Sequence, residues 1–127
     1  MSRPIRNSKP VSIRAISRTF FFTANAFKKN ALFQSTRMAV LLIDVLRTYA
    51  SAGKFIVHDF VVMPDHLHVI LTVDESTAIE KAAQLIKGGF SYRARKELGY
   101  QGEVWQPGFT EVRIASKSSF LQQSIPG

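Results

Sequence analysis

The stretch that decides the fold is residues 60–72, which read Phe-Val-Val-Met-Pro-Asp-His-Leu-His-Val-Ile-Leu-Thr. It joins two apolar, β-prone runs, residues 55–63 and 67–73, across the turn-forming pair Pro64-Asp65. His66 and His68 open the second run. Because residues i and i+2 of a strand point to the same face, about 6.5 Å apart, the two imidazoles are predicted to lie side by side. The pattern therefore predicts a β-hairpin that presents two histidines near its turn.

Two interpretations of this histidine pair remain open from the residues alone. A His-x-His on a strand is often no more than two polar residues on a solvated face, and short motifs give many false positives. The pair shares its face with Ile70 and Thr72, whereas the opposite face is fully apolar. A face that is half polar and half apolar suits the floor of a shallow site. Two imidazoles there could bind one cation.

Three further residues bear on such a cation site. Asp65 and Glu111 are possible oxygen ligands. His58 precedes Asp59 on the preceding strand, where a surface or supporting role is more common, and it stays outside the predicted ligand set.

Length and composition limit the class of protein. A chain of 127 residues is of single-domain size. It has no cysteine, which excludes disulfides, thiolate metal sites and a thiol nucleophile. No run approaches the roughly 20 apolar residues of a membrane span, and the N-terminus has no apolar signal-peptide core. We therefore expect a cytosolic protein without a membrane partner.

The net charge of +8 arises from 17 Lys and Arg against 9 Asp and Glu, unevenly placed. No acid precedes Asp44, and the basic residues before it include Arg14 and Arg18 in an N-terminal arm. A second basic cluster comprises Lys87, Arg93, Arg95 and Lys96. Such clustering favours nucleic acid as the partner over a merely soluble basic protein.

Hydrophobic periodicity predicts six elements. They are a strand at 19–27, a helix capped by Ser35 and stopped by Gly53, strands at 54–63 and 67–73, a helix that begins in a Thr77–Glu80 capping box and ends at Gly99, and a strand at 104–114 interrupted at Pro107-Gly108. This β-α-β-β-α-β order predicts an α+β, ferredoxin-like fold with a four-stranded antiparallel sheet and two helices on one face.

The second helix carries two unusual features. The Gly88-Gly89 pair lowers helix propensity by about 2 kcal/mol, which predicts a kink or a close backbone approach. Tyr92 lies off the apolar stripe, with Arg95 and Lys96 as its i+3 and i+4 neighbours. An aromatic ring among cations is a candidate for base stacking. A surface tyrosine without a role is an equal alternative.

Taken together, these segments resemble the HUH single-tyrosine (Y1) transposases of the IS200/IS605 type, and within them the REP-associated tyrosine transposases. The resemblance rests on Met-Pro-Asp-His-Leu-His at 63–68, Leu-Ile-Lys-Gly-Gly-Phe at 85–90 and Trp-Gln-Pro-Gly-Phe at 105–109, and it spans residues 20–114. It implies that His66 and His68 bind Mg²⁺ or Mn²⁺ at a phosphate of single-stranded or hairpin DNA. It also implies DNA strand transfer through a 5′-phosphotyrosine link, a homodimer and a bacterial, nucleoid-associated location.

The chain departs from this family near residue 126, where the nucleophilic tyrosine is expected and Pro126 stands. We therefore expect one transposase-like domain, with a basic arm at 1–18, a core at 19–114 and a truncated C-terminal segment at 115–127. Tyr92 and Tyr100 are weak candidates for a replacement nucleophile, so catalysis is expected to be crippled. The alternative function is a non-catalytic module that binds hairpin or single-stranded nucleic acid.

Overall fold

The computed structural model describes residues 18–74 and 77–114. The elements within them are β1 Arg18–Asn25, 3-10 turns at Phe27–Lys29 and Leu32–Gln34, α1 Thr36–Ser51, β2 Ile56–Met63, β3 His66–Val73, α2 Ile79–Leu98 and β4 Thr110–Ile114. The four strands form one sheet in the order β2-β3-β1-β4, with every neighbouring pair antiparallel. This arrangement confirms the predicted ferredoxin-like α+β fold. None of the described helices is both long and apolar enough to cross a membrane.

The core lies between one face of the sheet and the two helices. Alternate residues of β1 and β3, such as Phe22, Leu67 and Val69, are completely buried there. The helices supply their apolar stripes, including Leu42 of α1 and Phe90 of α2, and both helices belong to the same buried cluster. The residues between the core positions therefore point to the other face of the sheet, which we call the open face. A residue of β1 or β2 is assigned to the open face when it pairs with His66, His68 or Thr72 of β3.

The first helix begins and ends as predicted. The Ser35 hydroxyl accepts a hydrogen bond from the Met38 amide at 3.4 Å, and Gly53 adopts a left-handed φ of 78°. The predicted capping box of α2 is wrong. The N-cap is Ala78, one residue after Thr77, because the Thr77 amide already donates to the Asp74 carbonyl in a preceding turn.

Three predicted strands are too long. The strand predicted from residue 54 begins at Ile56. β1 ends at Asn25 because the chain then turns into two 3-10 segments. Residues 104–109 form a loop rather than a strand, and their only ladder contact among the described residues is an isolated bridge between Trp105 and Ala26. The buried Trp105 ring packs against Phe33 and Phe90, and its Nε1–H donates to the Lys87 carbonyl at 3.0 Å. The loop is thereby attached to α2.

The Gly88-Gly89 pair has one close contact. α2 runs unbroken from Ile79 to Leu98 across this pair. A Cβ atom on Gly89 would lie 2.8 Å from the Tyr49 hydroxyl, whereas one on Gly88 would meet no atom within 4 Å. Gly89 therefore permits the close approach of the two helices.

Candidate metal and nucleic-acid site

The turn between β2 and β3 is held by residues 26–33, which precede β2 in the sequence. The Ala26 amide donates to the Asp65 carbonyl, and the Phe33 amide donates to the Pro64 carbonyl, both at 2.9 Å. Each end of the 26–33 connection is therefore tied to one residue of the turn. This double attachment fixes the start of β3, where the histidines lie.

His66 and His68 point toward each other on the open face, as their spacing predicted. Their Nε2 atoms are 3.0 Å apart, and the ring planes are inclined by 83°. The outer nitrogens also have partners. His66 Nδ1 lies 2.6 Å from the Asp65 carboxylate, and His68 Nδ1 lies 2.9 Å from the Thr23 hydroxyl. Both rings are therefore oriented from outside, with their inner nitrogens convergent.

These partners determine the tautomers that the rings can adopt. The Asp65 carboxylate only accepts hydrogen bonds, so it holds the proton of His66 on Nδ1 and leaves a lone pair on Nε2. The Thr23 hydroxyl can donate or accept, so His68 can carry its proton on either nitrogen. In the absence of a cation, His68 Nε2–H can donate to His66 Nε2. With a cation, both Nε2 lone pairs are available.

The surroundings of the pair favour neutral His68. Burial, then the His66 ring and then Lys29, lower the pKa of the His68 imidazole. The Phe21 ring packs beside it, with centroids 5.4 Å apart. The hydrogen bond from His66, followed by the charge of Lys29, lowers the pKa of the Asp65 carboxyl. Since metal ligation requires deprotonated imidazole, this environment suits a cation site.

The pair fits two adjacent positions of a small divalent ion. Two ligands at right angles and about 2.1 Å from such an ion are about 3 Å apart, which matches the Nε2 separation of 3.0 Å. Within residues 18–74 and 77–114, however, no third His, Asp, Glu or Cys completes the set. Imidazole is a borderline ligand, so two of them would leave most positions of an Mg²⁺ or Mn²⁺ ion to oxygen ligands.

The other suggested ligands lie elsewhere. The Asp65 carboxylate contacts Nδ1 of His66, the outer ring nitrogen, rather than the convergent Nε2 atoms. Glu111 pairs with the core residue Phe22, so it faces the helix side of the sheet, away from the histidines. His58 Nε2 lies 2.6 Å from the Thr72 hydroxyl, four residues along β3 from His68. The suggestion of Glu111 as a ligand is thus wrong.

The predicted nucleic-acid residues of α2 belong to the helix layer, across the sheet from the histidines. Tyr92 is 62% exposed, and Lys96 lies over its ring, 5.8 Å from the centroid. Together with Arg95, Gly88 and Ser91 they line a shallow, open groove. The structure thus brings Tyr92, Arg95 and Lys96 together, but separates them from the histidine pair.

The remaining predicted cations are engaged or distant. Lys87 donates to the carbonyls of Gln106 and Gly108 at 3.0 and 2.6 Å, and Arg93 bonds to Glu97 and Asp44. Arg18 begins β1 at the end remote from the histidines, since His66 pairs with Asn25 at the other end. Arg14 lies outside the described residues.

All three tyrosines lie on the helix side of the sheet. Tyr49 and Tyr100 pack against the helix-side core, and the Tyr100 hydroxyl donates to the Glu103 carbonyl at 3.4 Å. Tyr92 points outward from α2. None is on the open face with His66 and His68.

One neighbour of the histidine pair was missed from the sequence. Lys29, in what was predicted as a plain connection, lies with its Nζ 3.6 Å from Asp65 Oδ2. Two successive lysines at 28–29 were a visible signal of charge. Their nearness to the hairpin turn could not be inferred, because it depends on contacts between distant segments.

Comparison with solved structures supports the fold. The chain superposes on the crystal structure of a protein from Deinococcus radiodurans R1 assigned as a transposase, with a TM-score of 0.66, 18% identity and coverage of 96% of this chain and 92% of that one. It also superposes on a REP-associated tyrosine transposase bound to a REP hairpin, with a TM-score of 0.61, 25% identity and coverage of 96% and 67%.

Comparison of sequences identifies the family. The chain is 28% identical over 83 residues to the ISDra2 transposase TnpA of Deinococcus radiodurans. The aligned region covers 61% of this chain and only 59% of that relative's length. The family model of IS200-like transposases matches residues 20–122, from β1 onward. Together with the four-stranded fold and the histidine hairpin, this match shows that the chain belongs to the IS200-like transposase family.

Proposed function

We propose that this chain binds single-stranded or hairpin DNA and presents one of its phosphodiesters to a Mg²⁺ or Mn²⁺ ion held by His66 and His68. The observation that carries the proposal is the convergence of the two Nε2 atoms, 3.0 Å apart, with each outer nitrogen separately held. A solvated pair of polar residues would not need that double support. We propose that the chain binds DNA in the bacterial cytoplasm, in association with the nucleoid.

The chain's own residues prepare the site. Asp65 keeps the His66 lone pair on Nε2, and Thr23 adjusts to either tautomer of His68. The ion, when bound, would reduce the negative charge on a phosphate oxygen and so favour attack at phosphorus. The Phe21 ring covers one side of His68 and limits its contact with water.

DNA is the substrate class that the chain's charge and family support. The net charge is +8, and the family is one of transposases. One solved relative is a REP-associated tyrosine transposase bound to a REP hairpin, and we propose the same class of DNA for this chain. A homodimer is part of the proposal, and size-exclusion chromatography with light scattering would test it.

We further propose that this chain does not form a phosphotyrosine link by itself. The reason is positional, since Tyr49, Tyr92 and Tyr100 all lie across the sheet from the histidines. The same observation favours the second candidate function, a non-catalytic module for hairpin or single-stranded DNA. The two candidates differ in whether the histidines bind metal.

The deciding experiment measures Mn²⁺ affinity by electron paramagnetic resonance. His66→Ala and His68→Ala should each weaken binding at least tenfold. His58→Ala is the matched control, because it removes the third histidine of the same face without touching the pair. Unchanged Mn²⁺ affinity in both pair variants would reject the metal site and leave the binding module.

A second measurement tests the missing nucleophile. The protein is incubated with Mn²⁺ and a labelled hairpin oligonucleotide, and adducts are separated under denaturing conditions. We expect DNA binding without a covalent adduct. An adduct mapped to Tyr92 or Tyr100 would contradict the proposal that this chain does not form a phosphotyrosine link by itself.

A further inference from the structure

Two consecutive lysines adopt left-handed backbone conformations next to the histidine hairpin. Lys28 has a φ of 54° and Lys29 a φ of 57°. Residues with a Cβ rarely adopt this region, and Gly or Asn is preferred there. The strain persists only where the surroundings impose it.

Hydrogen bonds from several segments impose this conformation. The Lys29 amide donates to the Ala26 carbonyl at 2.9 Å, and the Lys28 amide donates to the Gln106 side-chain carbonyl at 3.1 Å. The Phe27 amide donates to the Val104 carbonyl at 2.9 Å. The loop at 104–109 therefore supports the turn that carries both lysines.

The turn places one ammonium group beside the histidine pair. Lys29 Nζ lies 3.3 Å from Asn25 Oδ1 and 3.6 Å from Asp65 Oδ2, while Asp65 Oδ1 holds His66. The Lys29 side chain is still 58% exposed. A separation of 3.6 Å is longer than a direct hydrogen bond, so donor capacity remains for an incoming anion. Lys28 is also exposed, with its Nζ 5.4 Å from the Phe27 ring centroid.

We propose that Lys29, with Lys28 beside it, binds the phosphate adjoining the one presented to His66 and His68. The inference rests on the proposed function, because it takes single-stranded or hairpin DNA as the ligand. The proposal adds phosphate contacts next to the histidine pair, whereas the sequence placed the candidate DNA contacts on α2 and at Arg14 and Arg18. A lysine ammonium is a common phosphate ligand, and each such contact to a single strand releases bound counterions. The competing explanation is that Lys29 only neutralises Asp65.

The test compares variants that remove charge at matched positions. Lys29→Gln removes the ammonium group. Lys29→Gly removes it too and also relieves the left-handed backbone strain, so the Lys29→Gly variant should be at least as stable as the wild type. Lys81→Gln, on the exposed first turn of α2, is the control for the same change in net charge. Affinity for a labelled single-stranded hairpin oligonucleotide is measured from 50 to 200 mM salt.

Both Lys29 variants should bind the oligonucleotide about three- to tenfold more weakly, and the slope of log K against log salt should become shallower by about 0.7. Lys81→Gln should stay within twofold of wild type. Lys29 variants that match Lys81→Gln in affinity and slope would overturn the inference while the proposed function stands. A wild-type protein that binds no oligonucleotide would overturn both.

Mn²⁺ affinity measured without DNA, taken with the salt slope for DNA, distinguishes phosphate binding by Lys29 from the competing explanation, in which Lys29 only neutralises Asp65. If Lys29 only neutralises Asp65, its removal should change Mn²⁺ binding and leave the salt slope for DNA unchanged, and that result would overturn the phosphate assignment. The proposal expects a changed salt slope for DNA whether or not Mn²⁺ affinity also changes, because Lys29 lies 3.6 Å from Asp65 as well.

Discussion

The ring of Tyr49 on α1 lies against the backbone of Gly89 on α2, where a Cβ atom would come within 2.8 Å of the tyrosine hydroxyl. The contact explains one glycine of the Gly88-Gly89 pair and leaves the other without a packing role. Adjacent glycines in one helix therefore provide a matched test of packing against helix propensity.

Gly88→Ala should stabilise the protein by about 1 kcal/mol, because alanine favours the helix and its Cβ meets no atom. Gly89→Ala should destabilise it by about 1 kcal/mol net, because the overlap with Tyr49 exceeds the same gain in propensity. Urea denaturation followed by circular dichroism measures both. Equal shifts in the two variants would mean that Tyr49 moves aside at little cost.

Asp65→Asn should weaken Mn²⁺ binding by about tenfold, because the neutral amide holds the Nδ1 proton of His66 less firmly. Isothermal titration calorimetry at pH 7 measures the change. Asp44→Asn, which removes an equal charge on the helix layer, is the control. Wild-type affinity in Asp65→Asn would indicate that the ring orientation does not depend on the carboxylate.

Glu97→Gln should lower stability at neutral pH and have less effect in acid. The hydrogen bond from Arg93 lowers the pKa of the Glu97 carboxyl in the folded protein. The stabilisation of the folded protein by the Arg93–Glu97 ion pair is therefore fully present above the ordinary glutamate pKa of about 4.3. It is lost as the pH falls through the lower pKa that Glu97 has in the folded protein. Denaturant midpoints of variant and wild type should converge between pH 7 and pH 3.

The control for this pH dependence is Glu80→Gln, in the first turn of the same helix. Glu80 forms no ion pair with the described residues. Its variant should follow the wild-type curve more closely. A Glu97→Gln difference that is the same at both pH values would contradict the assignment to Arg93.

Trp105→Phe should destabilise the protein by about 2 kcal/mol, because it leaves the Lys87 carbonyl without its indole donor and shrinks a buried ring. Thermal unfolding followed by far-ultraviolet circular dichroism measures the loss. A variant with wild-type stability would show that the loop repacks around the smaller ring.

The fold could be predicted because its information is local. Alternation placed His66 and His68 on one face of β3, and helical spacing placed Tyr92 outside the core. The capping box failed because a turn at Asp74 uses the Thr77 amide, which the pattern of residue types does not reveal.

The surroundings of the site could not be predicted because they come from distant parts of the chain. The position of Lys29 beside Asp65 depends on the Gln106 side chain and on bonds between residues 26 and 65. The choice between a kink and a close approach at Gly89 likewise depended on Tyr49, which no local pattern relates to it.

The hydrogen bonds from the Ala26 and Phe33 amides to Asp65 and Pro64 have a consequence for folding of the protein. An excised β2–β3 peptide would contain both imidazoles but would lack the two hydrogen bonds that position them. It should therefore chelate Mn²⁺ no better than any flexible two-histidine peptide. Tight chelation should emerge only once β1 and the 26–33 connection have docked. Metal uptake during refolding would then report completion of the native structure.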